Sequence, residues 1–298
     1  MRAYLLLSLS ALFWAGNVVA GKWAAGVISP VGLTFYRWLV ASTLLLVLAF
    51  RHISRDGPAL WRRAPTLFAL GAIGFVGFNF ALYSALHHTT ALNVTIVQSG
   101  LPVVVVLGSW MLWRQPTTPW QMAGVGLTMV GVLLTATQGQ PWALLELGLN
   151  RGDATMMLGV FCYGAYTLAL RYQPAAHPLS VLFALAASAA TTSAVFFARD
   201  VLLGASPLPS PEGWGLIAYT SIFPSLLSQL FYLRGVAALG ANRAGLFVNF
   251  VPVFGALLAV ALLGETLRSY HVMGLGLVLG GVIVAERFRP KSRPTARD

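Results

Sequence analysis

Apolar runs of about 20 residues recur along the whole chain, and each run is closed by charged residues, proline or a polar cluster. A helix of that length crosses the ~30 Å hydrocarbon core of a bilayer. The pattern therefore predicts an all-α polytopic membrane protein with ten transmembrane helices and short loops. We number these helices spans 1 to 10, with predicted bounds at residues 3–23, 31–50, 66–86, 92–113, 120–138, 153–171, 178–199, 213–234, 242–263 and 270–287.

Composition and charge agree with a membrane location and orient the chain. Hydrophobic residues make up 57% of the sequence and charged residues 9%, whereas about one-quarter of a soluble domain is charged. Most of the 19 Lys and Arg residues fall on one side of the bilayer, among them Arg51, Arg55, Arg62 and Arg63 in the loop predicted after span 2. Because basic loops face the cytoplasm, we expect a multi-pass protein of the cell (inner) membrane with both termini cytoplasmic. The net charge of +11 then orients the chain in the lipid bilayer, and no nucleic-acid partner is expected.

The second half of the sequence repeats the first. GVGLTMVG at 124–131 in span 5 recurs as GLGLVLGG at 274–281 in span 10, and Pro102 in span 4 corresponds to Pro252 in span 9. Each half has five spans, an odd number, so the second half enters the membrane in the opposite direction. Inverted repeats of this kind are typical of alternating-access carriers, which bind solutes between the two halves. The recurring glycines predict close helix packing.

This duplication divides the chain into four predicted parts. They are a first repeat at 1–138 with spans 1 to 5, an outer connecting loop at 139–152, an inverted second repeat at 153–288 with spans 6 to 10, and a basic cytoplasmic tail at 289–298. The two repeats are expected to surround a central cavity.

Pro102 and Pro252 predict a discontinuity in each half. Proline supplies no backbone donor, and helices interrupted at matching positions mark the substrate site of many carriers. Gln98 and Ser99 stand just before the first proline and Asn249 just before the second. An amide at mid-membrane depth either lines a wet cavity or bonds a neighbouring helix. A packing kink without a site is the alternative for the prolines.

Spans 1, 3, 6 and 8 add polar and aromatic side chains at helical spacing, a combination that suits a small amphipathic solute. Each aromatic side chain taken alone also suits packing or an interfacial anchor. The predicted substrate-binding residues are Trp14, Asn17, Asn79, Tyr83, Gln98, Ser99, Tyr163, Tyr166, Ser228, Gln229, Tyr232 and Asn249, with helix kinks at Pro102 and Pro252.

Several of these motifs resemble a known family. The stretch WAGN at 14–17, Arg37 in span 2, the proline-centred spans 4 and 9, and LLGETL at 262–267 are similar to EamA-type carriers of the drug/metabolite transporter (DMT) superfamily. Within it, the chain most resembles the YddG-type exporters of aromatic amino acids. The resemblance implies that spans 1, 3, 4, 6, 8 and 9 wall the cavity. Tyr163 departs from the tryptophan usual at that position of span 6.

Arg37 is the one cation well inside a predicted span. It could pair with a substrate carboxylate, or it could reach the outer membrane surface or freed backbone carbonyls. We favour the second interpretation, because the resemblance places span 2 outside the cavity and long basic side chains extend readily to the interface. The eight acidic residues all fall in loops or at helix ends, so the sequence predicts no proton relay in the membrane.

Together these features predict an alternating-access transporter that exports small amphipathic metabolites, above all aromatic amino acids, by facilitated efflux. The alternative is a proton-coupled exporter of multidrug or cationic compounds. An enzyme is not expected, because no Ser/His/Asp set or pair of acids assembles on one side of the membrane. The single cysteine, Cys162, provides no cysteine metal site, and no metal or cofactor is expected. A small-molecule substrate is the expected partner, and the sequence is compatible with a monomer and with a dimer.

Overall fold

The computed structural model describes residues 2–140 and 150–288, and over these residues the chain consists of helices, turns and short connections. Ten of the helices are long and apolar enough to cross a membrane, which confirms the predicted fold class and the order of the spans. Most of the predicted connecting loop and the whole predicted tail at 289–298 lie outside the described residues. The spans are Arg2–Ala24, Pro30–Arg62, Ala64–Ala85, Ala91–Trp113, Pro119–Ala136, Arg151–Tyr172, Pro178–Leu202, Pro211–Leu239, Arg243–Leu263 and Ser269–Arg287.

Several spans begin at a Ser-Pro or Thr-Pro pair. The side chain of Ser29 accepts the backbone N–H of Gly32, and that of Thr118 accepts the N–H of Gln121. The proline that follows each cap occupies a first-turn position, where its missing donor costs nothing. The polar boundaries in the sequence thus become helix caps.

Span 2 is longer than predicted. It continues as one helix of 33 residues from Pro30 to Arg62, so the basic residues predicted to form a loop lie on a helical extension. Hydropathy marks where a chain leaves the lipid, but helical hydrogen bonding persists in water where another element supports it. Here the Asp56 carboxylate accepts the backbone N–H of His177 at 2.8 Å, and the rings of His52 and His177 stack with centroids 3.8 Å apart.

The internal duplication extends to local backbone irregularities. Span 3 contains a π-helical segment at Gly71–Gly77, and span 8 contains one at Ser221–Leu227. Spans 4 and 9 end in matching left-handed caps, Arg114 with φ 48° and Gly264 with φ 67°. Since π-helical turns are rare, their recurrence at matching positions indicates a shared architecture of the two halves.

The packing of the spans follows the same symmetry. Span 1 packs against spans 8 and 9, and span 6 packs correspondingly against spans 3 and 4. Spans 2 and 7 pair with each other, as do spans 5 and 10. Because short connections make successive spans alternate in direction, five spans place the second half upside down relative to the first. The result is two inverted five-helix repeats with spans 1, 3, 4, 6, 8 and 9 at the centre.

The repeated glycines hold spans 5 and 10 in backbone contact. A Cβ added at Gly124 would lie 2.5 Å from the carbonyl oxygen of Gly281, and one at Gly131 would lie 2.7 Å from the carbonyl oxygen of Gly274. Only glycine permits this approach, which confirms the packing role predicted from the repeated pattern.

Candidate functional site

A cavity of about 490 Å³ lies between the two repeats, and its size falls in the range of small-molecule sites. Span 2 and span 10 contribute to its wall in addition to the six spans implied by the resemblance, through residues such as Trp38 and Val278. The predicted site residues that line it are Trp14, Asn17, Asn79, Gln98, Ser99, Pro102, Tyr163, Tyr166, Gln229, Tyr232, Asn249 and Pro252.

Two predicted residues, Tyr83 and Ser228, do not line the cavity. Tyr83 is 2% exposed, because it lies one helical turn beyond Asn79, where the spans pack together. Ser228 is fully buried between spans 8 and 1, where its hydroxyl donates to the carbonyl oxygen of Phe223 at 3.1 Å. Its neighbour Gln229 faces the cavity because adjacent helical residues point about 100° apart.

The two proline-containing spans break at the cavity wall. Span 4 is interrupted at Ser99 and Gly100, whose N–H groups bond carbonyls three residues earlier, and a new helix begins at Leu101. Span 9 is interrupted in the same way at Asn249 and Phe250. Because each proline supplies no N–H, the carbonyl oxygen four residues before it has no helical donor. These breaks leave backbone polar groups beside the cavity.

Arg37 is buried in the bundle, and the expectation that it reaches the membrane surface was wrong. It is 5% exposed and forms part of the cavity wall. Its Nε donates to Ser225 Oγ at 2.6 Å, and its Nη1 donates to the side-chain oxygens of Asn17 and Asn79 at 2.9 and 2.8 Å. Span 2 packs against the π-helical segment of span 8, so the inner face of span 2 meets the cavity.

The hydroxyl of Tyr83 completes this polar cluster from behind the wall. It accepts a hydrogen bond from Arg37 Nη1 and donates to Asn17 Oδ1 at 3.0 Å. Ser225 in turn donates to the carbonyl oxygen of Thr220, a bond that spans five residues within the π-helical segment. The predicted residue Tyr83 therefore supports the cavity by positioning other side chains.

Aromatic rings form much of the remaining wall. Trp14 and Tyr232 approach with centroids 5.4 Å apart, and Tyr163 and Tyr166 with centroids 5.1 Å apart. Ring faces and edges of this kind receive flat apolar groups.

Two acceptors at the wall have no protein partner within the described residues. They are Gln98 Oε1 and Thr95 Oγ1, both on span 4 just before its break. Both atoms are buried, and a buried acceptor without a donor costs about 1–3 kcal/mol. The sequence analysis missed Thr95, although it lies one turn before Gln98 and Ser99 on the same helical face.

We call the end of the bundle where span 1 begins the N-terminal side and the opposite end the distal side. A second cavity of about 540 Å³ lies at the N-terminal side, among residues such as Trp113, Gln121 and Glu286. It shares wall residues Pro102 and Thr167 with the central cavity. The two cavities therefore adjoin on this side of the bundle.

Polar contacts between the two repeats and within the first repeat tie the spans together on the distal side. Glu265, which follows span 9, accepts the backbone N–H groups of Ala91 and Leu92 at the start of span 4. Lys22 donates to the carbonyl oxygens of Leu86 and Thr89, both at 2.8 Å. A large cluster of buried apolar residues lies beneath these contacts.

Asp153 also belongs to this closure, although the sequence suggested an acid at a helix end. It is fully buried and accepts hydrogen bonds from Thr89 Oγ1 at 2.7 Å and Asn93 Nδ2 at 3.0 Å. Asn93 Oδ1 in turn meets His271 Nε2 at 3.0 Å. Burial, together with the positive charge of Lys22, lowers the pKa of His87 in the loop between spans 3 and 4, so the neutral form of its imidazole is favoured near pH 7.

Comparison with known proteins identifies the family of this chain. The sequence profile of the EamA-like transporter family matches residues 1–137 and, a second time, residues 150–286. The chain belongs to the EamA-like transporter family. This family is built from two repeats of five helices, which agrees with the two inverted halves, and the chain is a membrane transporter.

Individual relatives of this EamA-like protein are also named as transporters. It is 27% identical over 290 residues to the uncharacterized transporter YyaM of Bacillus subtilis, covering 96% of this chain and 93% of the relative. An uncharacterized transporter of Archaeoglobus fulgidus is 28% identical over 288 residues, covering 94% and 96%. The GDP-mannose transporter GONST5 of Arabidopsis thaliana is 29% identical over 106 residues, which are 33% of this chain and 31% of that protein. A solved crystal structure with 20% identity and a TM-score of 0.64 covers 97% of this chain and 99% of its own and shares the fold.

Proposed function

We propose that this EamA-like protein is an alternating-access carrier whose two repeats rock around the central cavity. The observation that carries the proposal is a cavity bounded by both broken spans, with polar contacts tying the two repeats together on its distal side. A channel needs a continuous path, whereas a carrier exposes one site to one side at a time. We assign the observed arrangement to the conformation open to the N-terminal side, where the second cavity adjoins the first.

We further propose that the substrates are small amphipathic metabolites, with aromatic amino acids of the YddG type as the first candidates. The rings of Trp14, Tyr163 and Tyr232 suit a flat apolar side chain. Gln98, Ser99 and Asn249 line the wall and supply side-chain oxygens that suit an ammonium group. The volume of about 490 Å³ accommodates a solute of this size.

The proposed direction is export from the cytoplasm across the cell (inner) membrane. With the basic loops inside, the N-terminal side is cytoplasmic and the observed conformation is ready to load a solute from the cell. We propose facilitated efflux by a monomer without cofactor, since one chain contains both walls of the cavity.

A second candidate is a proton-coupled exporter of cationic compounds. The buried carboxylate of Asp153 favours it, because ionisable groups inside membrane proteins are commonly proton carriers. The cavity argues against cationic cargo, because its described lining includes Arg37 and no carboxylate.

The test uses the purified protein in liposomes with labelled phenylalanine or tryptophan. A carrier gives saturable uptake and exchange that is accelerated by substrate on the opposite side, whereas flux that stays linear with concentration would contradict the proposal. An imposed pH gradient separates the two candidates, because only the proton-coupled exporter accumulates its substrate against a gradient.

Site variants complete the test. Asn17→Ala and Gln98→Ala should each slow transport, while Thr191→Ala, an exposed hydroxyl position on span 7, should not. Unchanged kinetics in both cavity variants would remove the proposed site. Reporter fusions at both termini check the expected cytoplasmic orientation.

A further inference from the structure

Arg37 carries a positive charge at the wall of the central cavity and has no acidic partner within residues 2–140 and 150–288. Its hydrogen-bond partners are the neutral side chains of Ser225, Asn17, Asn79 and Tyr83. No aspartate or glutamate occurs among the described residues that line the cavity. The Trp38 ring, with its centroid 5.0 Å from Arg37 Cζ, adds a cation–π contact but no opposite charge.

Neutral oxygens reduce the cost of burying a guanidinium but do not cancel its charge. A lone charge away from water is unfavourable, and an opposite charge in contact with it is correspondingly favourable. Proteins tolerate such an arrangement within membranes where the group serves a substrate or ion pathway. An anionic ligand would supply the missing charge.

The bonding geometry leaves part of the guanidinium available. Nε donates to Ser225 and Nη1 donates to three oxygens, whereas Nη2 makes no hydrogen bond within the described part of the chain. Arginine recognises carboxylates through such N–H groups, with a planar geometry that lysine lacks. The stacked pair of Trp38 and Phe75 also borders the cavity, with centroids 4.4 Å apart, and gives the site an apolar edge.

We propose that Arg37 is the carboxylate-binding residue of the cavity and that this protein selects solutes carrying one carboxylate beside an apolar ring. This inference rests on the proposed transport function and deepens it, because it distinguishes amino acids from amines and from cationic drugs.

The experiment compares three solutes that share one ring: phenylalanine, phenylalaninamide and phenethylamine. Binding to the purified full-length protein is measured by tryptophan fluorescence, and transport is measured in liposomes. Loss of a charge-assisted bond corresponds to roughly 10- to 100-fold weaker binding. The wild type should thus bind phenylalanine at least about tenfold more tightly than the amide or the amine.

Arg37→Gln should abolish that preference by weakening the binding of phenylalanine. The affinity for phenylalaninamide should stay within about twofold of the wild-type value, a difference below 0.5 kcal/mol. Arg37→Lys retains the charge and should keep a reduced preference for the carboxylate. Equal loss of all three solutes in a variant with unchanged thermal stability would show a purely structural role and overturn the inference. Equal binding of acid and amide by the wild type would also overturn it, even if Arg37→Gln does not fold.

The binding assay separates this inference from the proposed function. Carboxylate-selective binding that Arg37→Gln removes, observed without any flux, would support the subsite and contradict only the transport proposal. Saturable flux with no preference for the carboxylate would support the transport proposal and contradict the carboxylate subsite. Absence of binding by all three solutes would overturn the assignment of Arg37.

Discussion

The carboxylate of Glu265 accepts the backbone N–H of Ala91 at 2.7 Å, and its second oxygen accepts the N–H of Leu92 at 2.9 Å. The acid follows span 9, and the two N–H groups begin span 4, so the contact ties together the broken spans of the two repeats. A carboxylate at a helix N-terminus satisfies free donors and interacts favourably with the helix dipole. The bond must break if the distal side is to open.

Glu265→Gln is therefore expected to favour opening of the distal side. The amide keeps one acceptor oxygen but loses the charge. The lost interaction of that charge with the helix N-terminus corresponds to roughly 1 kcal/mol, or about a fivefold change in the ratio of distally open to distally closed molecules. The measurement is labelling of Ser99→Cys, in a Cys162→Ala background, by an impermeant maleimide added from the distal side. Labelling should increase in Glu265→Gln and stay constant in Glu212→Gln, an exposed acid in the first turn of span 8. Equal labelling in all backgrounds would show that the contact does not hold the closure.

Asp153→Asn should destabilise the closed conformation. The buried carboxylate accepts from both Thr89 and Asn93, and an amide can accept only on one side, so one donor remains unsatisfied at a cost of about 1–3 kcal/mol. The thermal midpoint in detergent should fall by several degrees. Asp200→Asn, a partly exposed acid at the end of span 7, serves as the control and should leave the midpoint unchanged. A midpoint equal to that of the wild type would mean that the hydrogen bonds of Asp153 add no stability.

Gly281→Ala should separate spans 5 and 10. The new Cβ would meet the carbonyl oxygen of Gly124 at 2.5 Å, and relieving such backbone overlap costs about 1–3 kcal/mol. The chain offers a matched control, because a Cβ at Gly276 on the same span meets nothing within 4 Å. Size-exclusion profiles and thermal midpoints should deteriorate in Gly281→Ala and remain normal, or improve slightly, in Gly276→Ala. Similar behaviour of the two variants would argue against backbone contact.

Pro102→Ala should slow transport by closing the break in span 4. Alanine supplies the N–H that the carbonyl oxygen of Gln98 lacks. One net hydrogen bond of about 0.5–1.5 kcal/mol corresponds to a roughly 2- to 10-fold lower transport rate. The initial rate in liposomes tests this expectation. Pro58→Ala, on the exposed extension of span 2, should transport at the wild-type rate. Wild-type transport by Pro102→Ala would mean that the break is only a packing feature.

Sequence patterns predicted the features that depend on local chain properties. Ten spans follow from hydropathy, because bilayer thickness sets the length of each apolar run. The inverted repeat follows from an odd number of spans in each half. The recurring glycines predicted close helix packing, and the recurring prolines predicted the cavity position of spans 4 and 9, because these residues change backbone geometry wherever they occur. The structure identified spans 5 and 10 as each other's packing partners.

Only the tertiary structure decided where individual polar side chains point. Arg37 faces the cavity because span 2 meets the π-helical segment of span 8, and Ser228 is buried because span 1 covers it. Asp153 lies at a helix end in the sequence, yet Thr89 and Asn93 enclose it. In each case the partner is distant along the chain. Hydropathy and helical periodicity determine which residues enter the membrane, whereas the direction and charge environment of a side chain depend on which distant helix packs against it.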